Sequence, residues 1–254
     1  MKPGTPKTGE TVDTLYGGAI RLIQRRSGYR FTSDAVILAH AALGARGRLV
    51  DLGTGCGVIP VIVAKFGRAD AVTGVEIQPE LVDIAARNVV DNGVADRTAI
   101  VHGDIRRIRD LLPAQSFDQV IANPPYLAVT AGRINPDHER AVARHEILCR
   151  IQDILAAALH LLRNHGVLRI IYPNTRLVDL ALQLRRKGLE PKRLRFVHDH
   201  ADGPSKVCLV EATKNARAQV EIAAPIILYD AAGRPTDEHR RIFGSPEPVF
   251  DPQD

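Results

Sequence analysis

The sequence has 254 residues, of which 45% are hydrophobic and 25% are charged, a balance that suits one large globular core and excludes disordered and fibrous classes. Lys and Arg total 34 against 29 Asp and Glu, and the formal net charge of +5 is compatible with a polyanionic partner. Because the chain lacks both a long uncharged apolar run and a basic-then-apolar start, we expect neither a membrane-spanning nor an exported protein.

The first 45 residues precede the main α/β pattern. Thr14–Tyr16 and Ile20–Gln24 flank two glycines and predict a hairpin, and Ser33–Leu43 predicts a helix. Near the other end, the apolar run Ala224–Tyr229 is expected to cover or extend the central sheet.

Short β-branched runs alternate with helical patterns through the middle of the chain. This alternation predicts a Rossmann-like, mostly parallel, seven-stranded α/β sheet with helices on both faces. Since no helix separates the last two strands, we expect an antiparallel strand at one end. The predicted strands are Arg48–Leu52, Ala71–Ile77, Thr98–Val101, Phe117–Ala122, Val167–Tyr172, Arg193–His198 and Lys206–Ala212, and the clearest helices begin at Pro79, Arg144 and Thr175.

A glycine-rich turn, Asp51–Gly57, ends the first of these strands and leads into a helix. Gly53, Gly55 and Gly57 stand at alternate positions, and the missing Cβ atoms let the backbone lie against a ligand. The GxGxG spacing differs from the GxGxxG of dinucleotide folds, and the Gly-Lys-Ser/Thr ending of phosphate-binding loops is absent. Cys56 within the turn is expected to be a small packing residue.

Acidic residues close the next two predicted strands. Glu76 stands 25 positions after Asp51, where a carboxylate can accept hydrogen bonds from both hydroxyls of a ribose. Asp104 follows the third strand, where an adenine ring would be reached, although a helix N-cap is an alternative role for it. In this order with the glycine turn, the two acids favour a nucleoside-containing cofactor.

The fourth strand ends in Asn123-Pro124-Pro125-Tyr126. Tandem prolines fix the backbone and remove two N–H donors, which leaves carbonyl and amide oxygens facing the crevice. Such acceptors suit a substrate that presents an NH2 group, and Tyr126 is expected to stack on its planar part. A rigid turn with a core tyrosine is the alternative interpretation.

Together these motifs resemble those of the class I S-adenosylmethionine-dependent methyltransferases, in the subgroup that methylates amino nitrogens at an Asn-Pro-Pro-Tyr motif. Additional segments resemble the bacterial tRNA adenine-N6 methyltransferases, which act on the adenine just 3′ of the anticodon in valine tRNA. These segments are Asp13–Leu15, Ile23–Gln24, Gly28–Phe31, Ser33–Ala39, Ala143–Glu146 and Pro225–Tyr229. Leu127–Val142 and the tail beyond Tyr229 match the family only loosely.

The resemblance implies an enzyme that uses S-adenosylmethionine, needs no metal, and methylates N6 of an adenine in tRNA. Three scattered cysteines, with no disulfide framework, favour the reducing cytoplasm as its location. It implies a leader at residues 1–45 covering the cofactor site, a methyltransferase domain at 46–213, and an extension at 214–254 with a flexible tail. The implied catalytic residues are Asn123, Pro124, Pro125 and Tyr126, and the implied cofactor contacts are Phe31, Asp34, Asp51, Gly53, Gly55, Gly57, Glu76 and Asp104.

Arginines of the leader are expected to contact RNA, namely Arg25, Arg26 and Arg30 together with Arg21, and Arg133 is a further candidate. A second basic cluster, Arg185–Arg195, is either a solvated helix end or a phosphate-contacting patch. Two other functions stay open at this point: a glutamine methyltransferase acting on a release factor, and a non-catalytic RNA-binding relative.

Spacing also argues against metal and disulfide chemistry. Cys56, Cys149 and Cys208 lie far apart without a CxxC pair, which predicts neither a disulfide framework nor a zinc site. The segment His198–His200 lacks a third ligand at suitable spacing, so we predict no metal site there.

Overall fold

A computed structural model describes residues 4–28, 30–124 and 150–244 of the chain. It begins with an antiparallel hairpin of strands β1 (Glu10–Leu15) and β2 (Ile20–Arg25), in which Leu15 lies opposite Ile20. Gly17 and Gly18 turn the chain with φ values of 63° and 94°, a backbone conformation that favours glycine. The predicted hairpin is confirmed, and helix α1 (Ser33–Ala41) follows it.

A nine-stranded sheet forms the centre of the described part of the molecule. Its order is β10-β8-β9-β7-β6-β3-β4-β5, and β11 pairs with β8 beside β10. The strands are β3 (Arg48–Leu52), β4 (Ala71–Glu76), β5 (Thr98–His102), β6 (Phe117–Ala122), β7 (Leu162–Pro173), β8 (Leu189–His200), β9 (Val207–Lys214), β10 (Glu221–Ile222) and β11 (Ile226–Tyr229).

The sheet is parallel from β3 to β7, and β9 runs antiparallel between β7 and β8. This confirms the predicted mostly parallel sheet with an antiparallel strand towards one end. Strands β10 and β11 lengthen that end by pairing parallel to β8. The apolar run Ala224–Tyr229 therefore extends the sheet, as the sequence predicts.

Helices cover both faces of the sheet. Pro79 occupies the first turn of its helix, as predicted, where its missing N–H costs nothing. No helix among the described residues is long and apolar enough to cross a membrane. The remaining helices are α2 (Val58–Phe66), α3 (Pro79–Asp91), α4 (Ile108–Leu111), α5 (Ile151–Leu161), α6 (Leu177–Arg186) and α7 (Asp237–His239).

The sequence predicts that α5 ends at about Arg163, two residues later than the observed end. The sequence places the stop at Asn164–Gly166, but the helix ends at Leu161 and those residues already belong to β7. Leu162 pairs with Phe117, and the four residues 163–166 of β7 then stand opposite the single residue 118 of β6 before regular pairing resumes at Val167. Strand pairing overrides the local stop signal, and the start of the predicted helix lies outside the described residues.

Successive side chains along a strand point to opposite faces of the sheet, and a separate hydrophobic core lies on each face. Leu49 packs with α1, α2, α3 and the leader hairpin, whereas Val50 and Leu52 pack with α5 and α6. Because β3, β4, β5 and β6 run parallel, their carboxyl ends meet at one edge. In such sheets this edge is where ligands bind.

Candidate functional site

The glycine turn after β3 is held against β4 by its backbone. The N–H groups of Gly53 and Thr54 both donate to the Val75 carbonyl, at 2.9 and 3.0 Å. Gly53 has φ of 78°, and a Cβ built there meets nothing within 4 Å, so its surface is open to a ligand. Gly57 has φ of 81°, and a Cβ there would lie 3.1 Å from Cβ of Ala85. Gly57 thus serves the packing of α2 on α3, while Gly53 leaves space.

Asp51, near the end of β3, has a buried carboxyl group without a hydrogen-bond partner among the described residues. It is 1% exposed, and within the described residues neither of its oxygens, nor the Thr54 hydroxyl, has a hydrogen-bond partner. Burial raises the pKa of Asp51 to about 7, and the charge of Glu76 adds to this rise. Since an unsatisfied buried polar group is costly, the position fits a ligand that brings a donor or a positive charge.

Glu76 organises the other side of the site. One carboxylate oxygen accepts the Gly55 N–H at 2.9 Å, and the other accepts the N–H groups of Ile77 and Gln78, each at 2.9 Å. A carboxylate has about four acceptor positions, so these bonds leave capacity for a hydroxyl. The sequence predicts only a ribose contact, whereas the structure gives Glu76 a second task of joining two loops.

Asp104 adopts the N-cap arrangement that the sequence leaves open. Its carboxylate accepts the Arg106 N–H at 2.9 Å and forms an ion pair with the Arg106 guanidinium. The hydrogen bond from the Arg106 side chain lowers the pKa of Asp104 despite partial burial. These contacts stabilise the turn after β5 and keep Asp104 ionised at the edge of the site.

Asn123 and Pro124 come directly after β6, beside the glycine turn. Leu52 of β3 pairs with Ala122 of β6, so Asn123 begins where Gly53 begins on the neighbouring strand. Asn123 is half-buried and Pro124 is buried. The other predicted residues of this region, Pro125, Tyr126 and Arg133, lie outside the described residues.

The leader is fastened to the site by Asn88, which sequence reasoning missed. This fully buried amide accepts the Ile23 N–H at 2.7 Å and donates to the carbonyls of Ile23 and Cys56, both at 2.8 Å. Asn92, one helical turn later, binds the N–H and carbonyl of Arg21 in the same way. The sequence signal that could have revealed this contact is a pair of asparagines four residues apart, at buried positions of the predicted helix.

Phe31 and Asp34 lie where the leader meets the core. Phe31 packs on the core that lies between the sheet and helices α1, α2 and α3. Its N–H donates to Oε1 of the buried Gln24 at 3.3 Å. Asp34 is half-buried in the first turn of α1. The structure thus holds Phe31 against β2, the strand that Asn88 fastens to the glycine turn.

The predicted group of leader arginines divides in two. Arg30 forms an ion pair with Asp13 at 2.6 Å and also donates to the Arg25 carbonyl, so its guanidinium braces the hairpin and is not freely displayed. Arg21 is likewise held by Asp91 at 3.0 Å. Arg25 and Arg26 are exposed, and neither side chain has an ion pair within the described ranges. The contact of Arg30 with RNA stays a prediction, and the structure adds that its guanidinium also pairs with Asp13 of β1.

The family model for the methyltransferase small domain matches residues 32–184, which include the glycine turn, Glu76 and Asn123. The chain belongs to this methyltransferase family. A tRNA1(Val) (adenine(37)-N6)-methyltransferase of Porphyromonas gingivalis strain W83 is 30% identical over 222 residues, covering 84% of this methyltransferase and 86% of the relative. A protein of the same name from Photobacterium profundum is 26% identical, covering 80% and 85% of the two chains.

Solved structures share the fold of this methyltransferase at low identity. A predicted O-methyltransferase of Agrobacterium tumefaciens superposes with a TM-score of 0.66 at 22% identity, covering 82% of this chain and 94% of that one. Pyrococcus horikoshii TYW2, solved in complex with MeSAdo, gives 0.58 at 16% identity, covering 83% and 73%. The predicted methyltransferase fold is confirmed.

Other reactive side chains of the methyltransferase have ordinary roles. Burial raises the pKa of the Cys56 thiol to about 12, which leaves it protonated and inert. His198 and His200 each contact a backbone carbonyl, at 2.9 and 3.2 Å, and Asp199 pairs with Lys206. No group of three or more metal-ligating side chains is found in the described ranges.

Replacing Asn88 with alanine should destabilise the methyltransferase by about 3 kcal/mol or more, because three buried backbone groups of Ile23 and Cys56 lose their partner. Urea denaturation measures this loss. Asn92→Ala is the matched control, since it also removes a side-chain clamp on β2 but frees no group of the glycine turn. We expect cofactor affinity to fall in the first variant and to hold in the second; equal stability of Asn88→Ala and wild type would contradict the assignment.

Asp51 should make the cofactor-free methyltransferase less stable as pH rises. Its folded pKa of about 7 exceeds the ordinary value of 3.8, so the native state binds the proton more tightly, and this contribution is lost between about pH 4 and pH 7. Urea denaturation from pH 5 to pH 8 should show the unfolding free energy falling more steeply for wild type than for Asp51→Asn. Burial lowers the pKa of His40, which acts oppositely in both proteins and cancels in the difference. Parallel curves would refute the role of Asp51.

Proposed function

We propose that the chain transfers a methyl group from S-adenosylmethionine to the exocyclic N6 of an adenine in tRNA, the adenine just 3′ of the anticodon. The observation that carries the proposal is the pairing of Leu52 with Ala122, because it puts Asn123 next to the open glycine turn. The names of the relatives that cover most of the chain support the same substrate. The activity belongs in the cytoplasm, where tRNA is modified.

Residues around the glycine turn would hold the cofactor. Asp51 offers a buried carboxylate that needs a partner, Gly53 offers open backbone, and Glu76 retains acceptor capacity for a hydroxyl. The bound cofactor supplies an electrophilic methyl group on a sulfonium, so no covalent enzyme intermediate is needed. Gly55, Gly57, Phe31, Asp34 and Asp104 complete the proposed cofactor contacts.

Asn123 and Pro124 would position the amino group of the substrate. The Asn123 side-chain oxygen and the Pro124 carbonyl are acceptors, and hydrogen bonds from the two amino protons favour the pyramidal nitrogen that can attack. Pro125 and Tyr126 keep in this proposal the catalytic roles that the resemblance implies for them. An anticodon-loop adenine is single-stranded, so it can be swung out at modest cost. The chain therefore lowers the activation barrier by holding the amino nitrogen and the methyl group in line with each other.

One experiment tests this function directly. Isotope-labelled S-adenosylmethionine is incubated with the protein and unmodified total tRNA, the RNA is digested to nucleosides, and mass spectrometry looks for labelled N6-methyladenosine. We expect the label there, and sequencing the labelled tRNA then gives the nucleotide. Label in a release-factor glutamine instead of tRNA would overturn the proposal in favour of a glutamine methyltransferase. Absence of label from both substrates would favour a non-catalytic relative.

Charge reversal at Arg25 and Arg26 should weaken tRNA binding and reduce its dependence on salt. Both side chains are exposed on the leader, and each lost phosphate contact lowers the slope of log affinity against log salt by about 1. Fluorescence titration at several salt concentrations measures both effects. Arg46→Glu/Arg109→Glu carries the same change of charge at two exposed positions elsewhere and serves as control. If the two double variants behave alike, Arg25 and Arg26 do not contact RNA; Arg30 and Arg133 are the other predicted RNA contacts.

A further inference from the structure

A polar groove runs from the candidate site along helix α6. It has a volume of about 870 Å³ and extends from Pro124 at the end of β6 to Lys187 at the end of α6. Its near end also includes Arg150, ahead of α5, and Tyr172 of β7. The groove therefore begins at the residue that follows Asn123 and leads away from the predicted position of the target base.

Cationic side chains dominate the described wall of this groove. Asp179, Gln183 and Arg186 recur three or four residues apart and so share one face of α6, and Arg176 directly precedes the helix. From Arg176 to Lys187 this face is about 16 Å long at a rise of 1.5 Å per residue. Among the described residues that line the groove, four side chains are cationic and one, the exposed Asp179, is a carboxylate.

The spacing of these charges suits a polymer of phosphates better than a single anion. One nucleic-acid strand carries a phosphate about every 3.4 Å along a helix axis, so about 16 Å spans four or five of them. Arg186 is exposed, and Arg176 lies 6.0 Å from the centre of the Tyr172 ring at the end nearest the site. Arginine suits this role because its planar guanidinium binds phosphate with two parallel hydrogen bonds.

We propose that this groove binds the sugar-phosphate backbone of the anticodon stem while the target adenine lies at Asn123. The inference rests on the proposed function, and it adds a docking surface separate from the leader arginines. Continuity from Pro124 to Lys187 carries it, because RNA whose base enters at Asn123 must leave the site across a neighbouring surface. An acidic protein segment is the competing occupant, which the test below separates from RNA.

Replacing Asp179 tests the proposal by a gain in RNA affinity, which a misfolded variant would not show. Its carboxylate repels phosphate in the middle of the proposed path, so Asp179→Asn should tighten binding of an unmodified anticodon stem-loop RNA by about threefold. Arg186→Gln/Lys187→Gln should weaken binding of the same RNA about tenfold at 0.15 M salt and lower the salt slope by about 2. Affinity for S-adenosylmethionine should equal that of wild type in both variants.

Three comparisons decide the result. An RNA containing only the loop nucleotides should bind all of these proteins with similar affinity, because it lacks the stem that fills the groove. The proposal is overturned if the Arg186/Lys187 variant keeps the wild-type salt slope, if Asp179→Asn weakens RNA binding, or if polyglutamate competes as well as the stem-loop. Failure of the proposed function is seen separately, as absence of labelled N6-methyladenosine with the wild-type protein.

Discussion

Asn123→Ala should lower the rate of methyl transfer at least about a hundredfold while S-adenosylmethionine binds within twofold of its wild-type affinity. The side chain lies at the end of β6 beside the glycine turn, and its oxygen is the proposed acceptor for the amino group. Removing one such preorganised group typically costs a factor of about 10² to 10³ in rate. Single-turnover methylation of tRNA, with cofactor affinity from calorimetry, measures the two quantities.

The matched variant is Asn123→Asp, which keeps an acceptor oxygen and removes the amide. It should retain more activity than Asn123→Ala, since it keeps an acceptor for the amino protons, although a charged oxygen replaces the neutral NH2 group. More than a tenth of wild-type activity in Asn123→Ala would refute the catalytic assignment. A loss of thermal stability in that variant would instead point to a structural role.

Glu76→Ala should weaken cofactor binding by about a hundredfold or more. Three backbone N–H groups, of Gly55, Ile77 and Gln78, lose their acceptor together, so both loops around the cofactor would lose their positions. Charge-assisted bonds of this kind contribute roughly 1.5 to 3 kcal/mol each, which makes the loss large even if part of it is recovered by solvent. Calorimetric titration with S-adenosylmethionine measures the affinity.

Two further variants separate charge from loop geometry. Glu76→Gln keeps one oxygen for the loop N–H groups, so its affinity should lie between those of wild type and Glu76→Ala. Glu80→Ala removes an exposed acid in the first turn of α3 and should leave the affinity as in wild type. Unchanged binding in Glu76→Ala would exclude it as a cofactor residue.

Local patterns explain why much of the fold was predictable. The strands around the glycine turn are short apolar runs bounded by turn residues, and Pro79 marks the start of its helix. The approach of Asn123 to the turn also follows from parallel strands whose carboxyl ends meet at one edge. These conclusions depend on neighbours in sequence and on general rules of sheet topology.

Features that depend on distant partners were not predictable in the same way. Asn88 contacts Ile23 across 65 positions, and no local signal names that partner. The ion pair of Arg30, which lies beyond the end of β2, with Asp13 of β1 likewise joins residues 17 positions apart that no local signal pairs. The early end of α5 follows from the pairing of Leu162 with a distant strand.

The two asparagines of α3 also have a consequence for the hairpin itself. A two-stranded hairpin is marginally stable alone and presents unpaired N–H and C=O groups along its outer strand. Asn88 and Asn92 bind these groups at Ile23 and Arg21, alternate residues of β2, in the manner of a third strand built from side chains. The outer edge of β2 is therefore closed to a strand of another molecule, which protects this part of the chain from edge-to-edge aggregation.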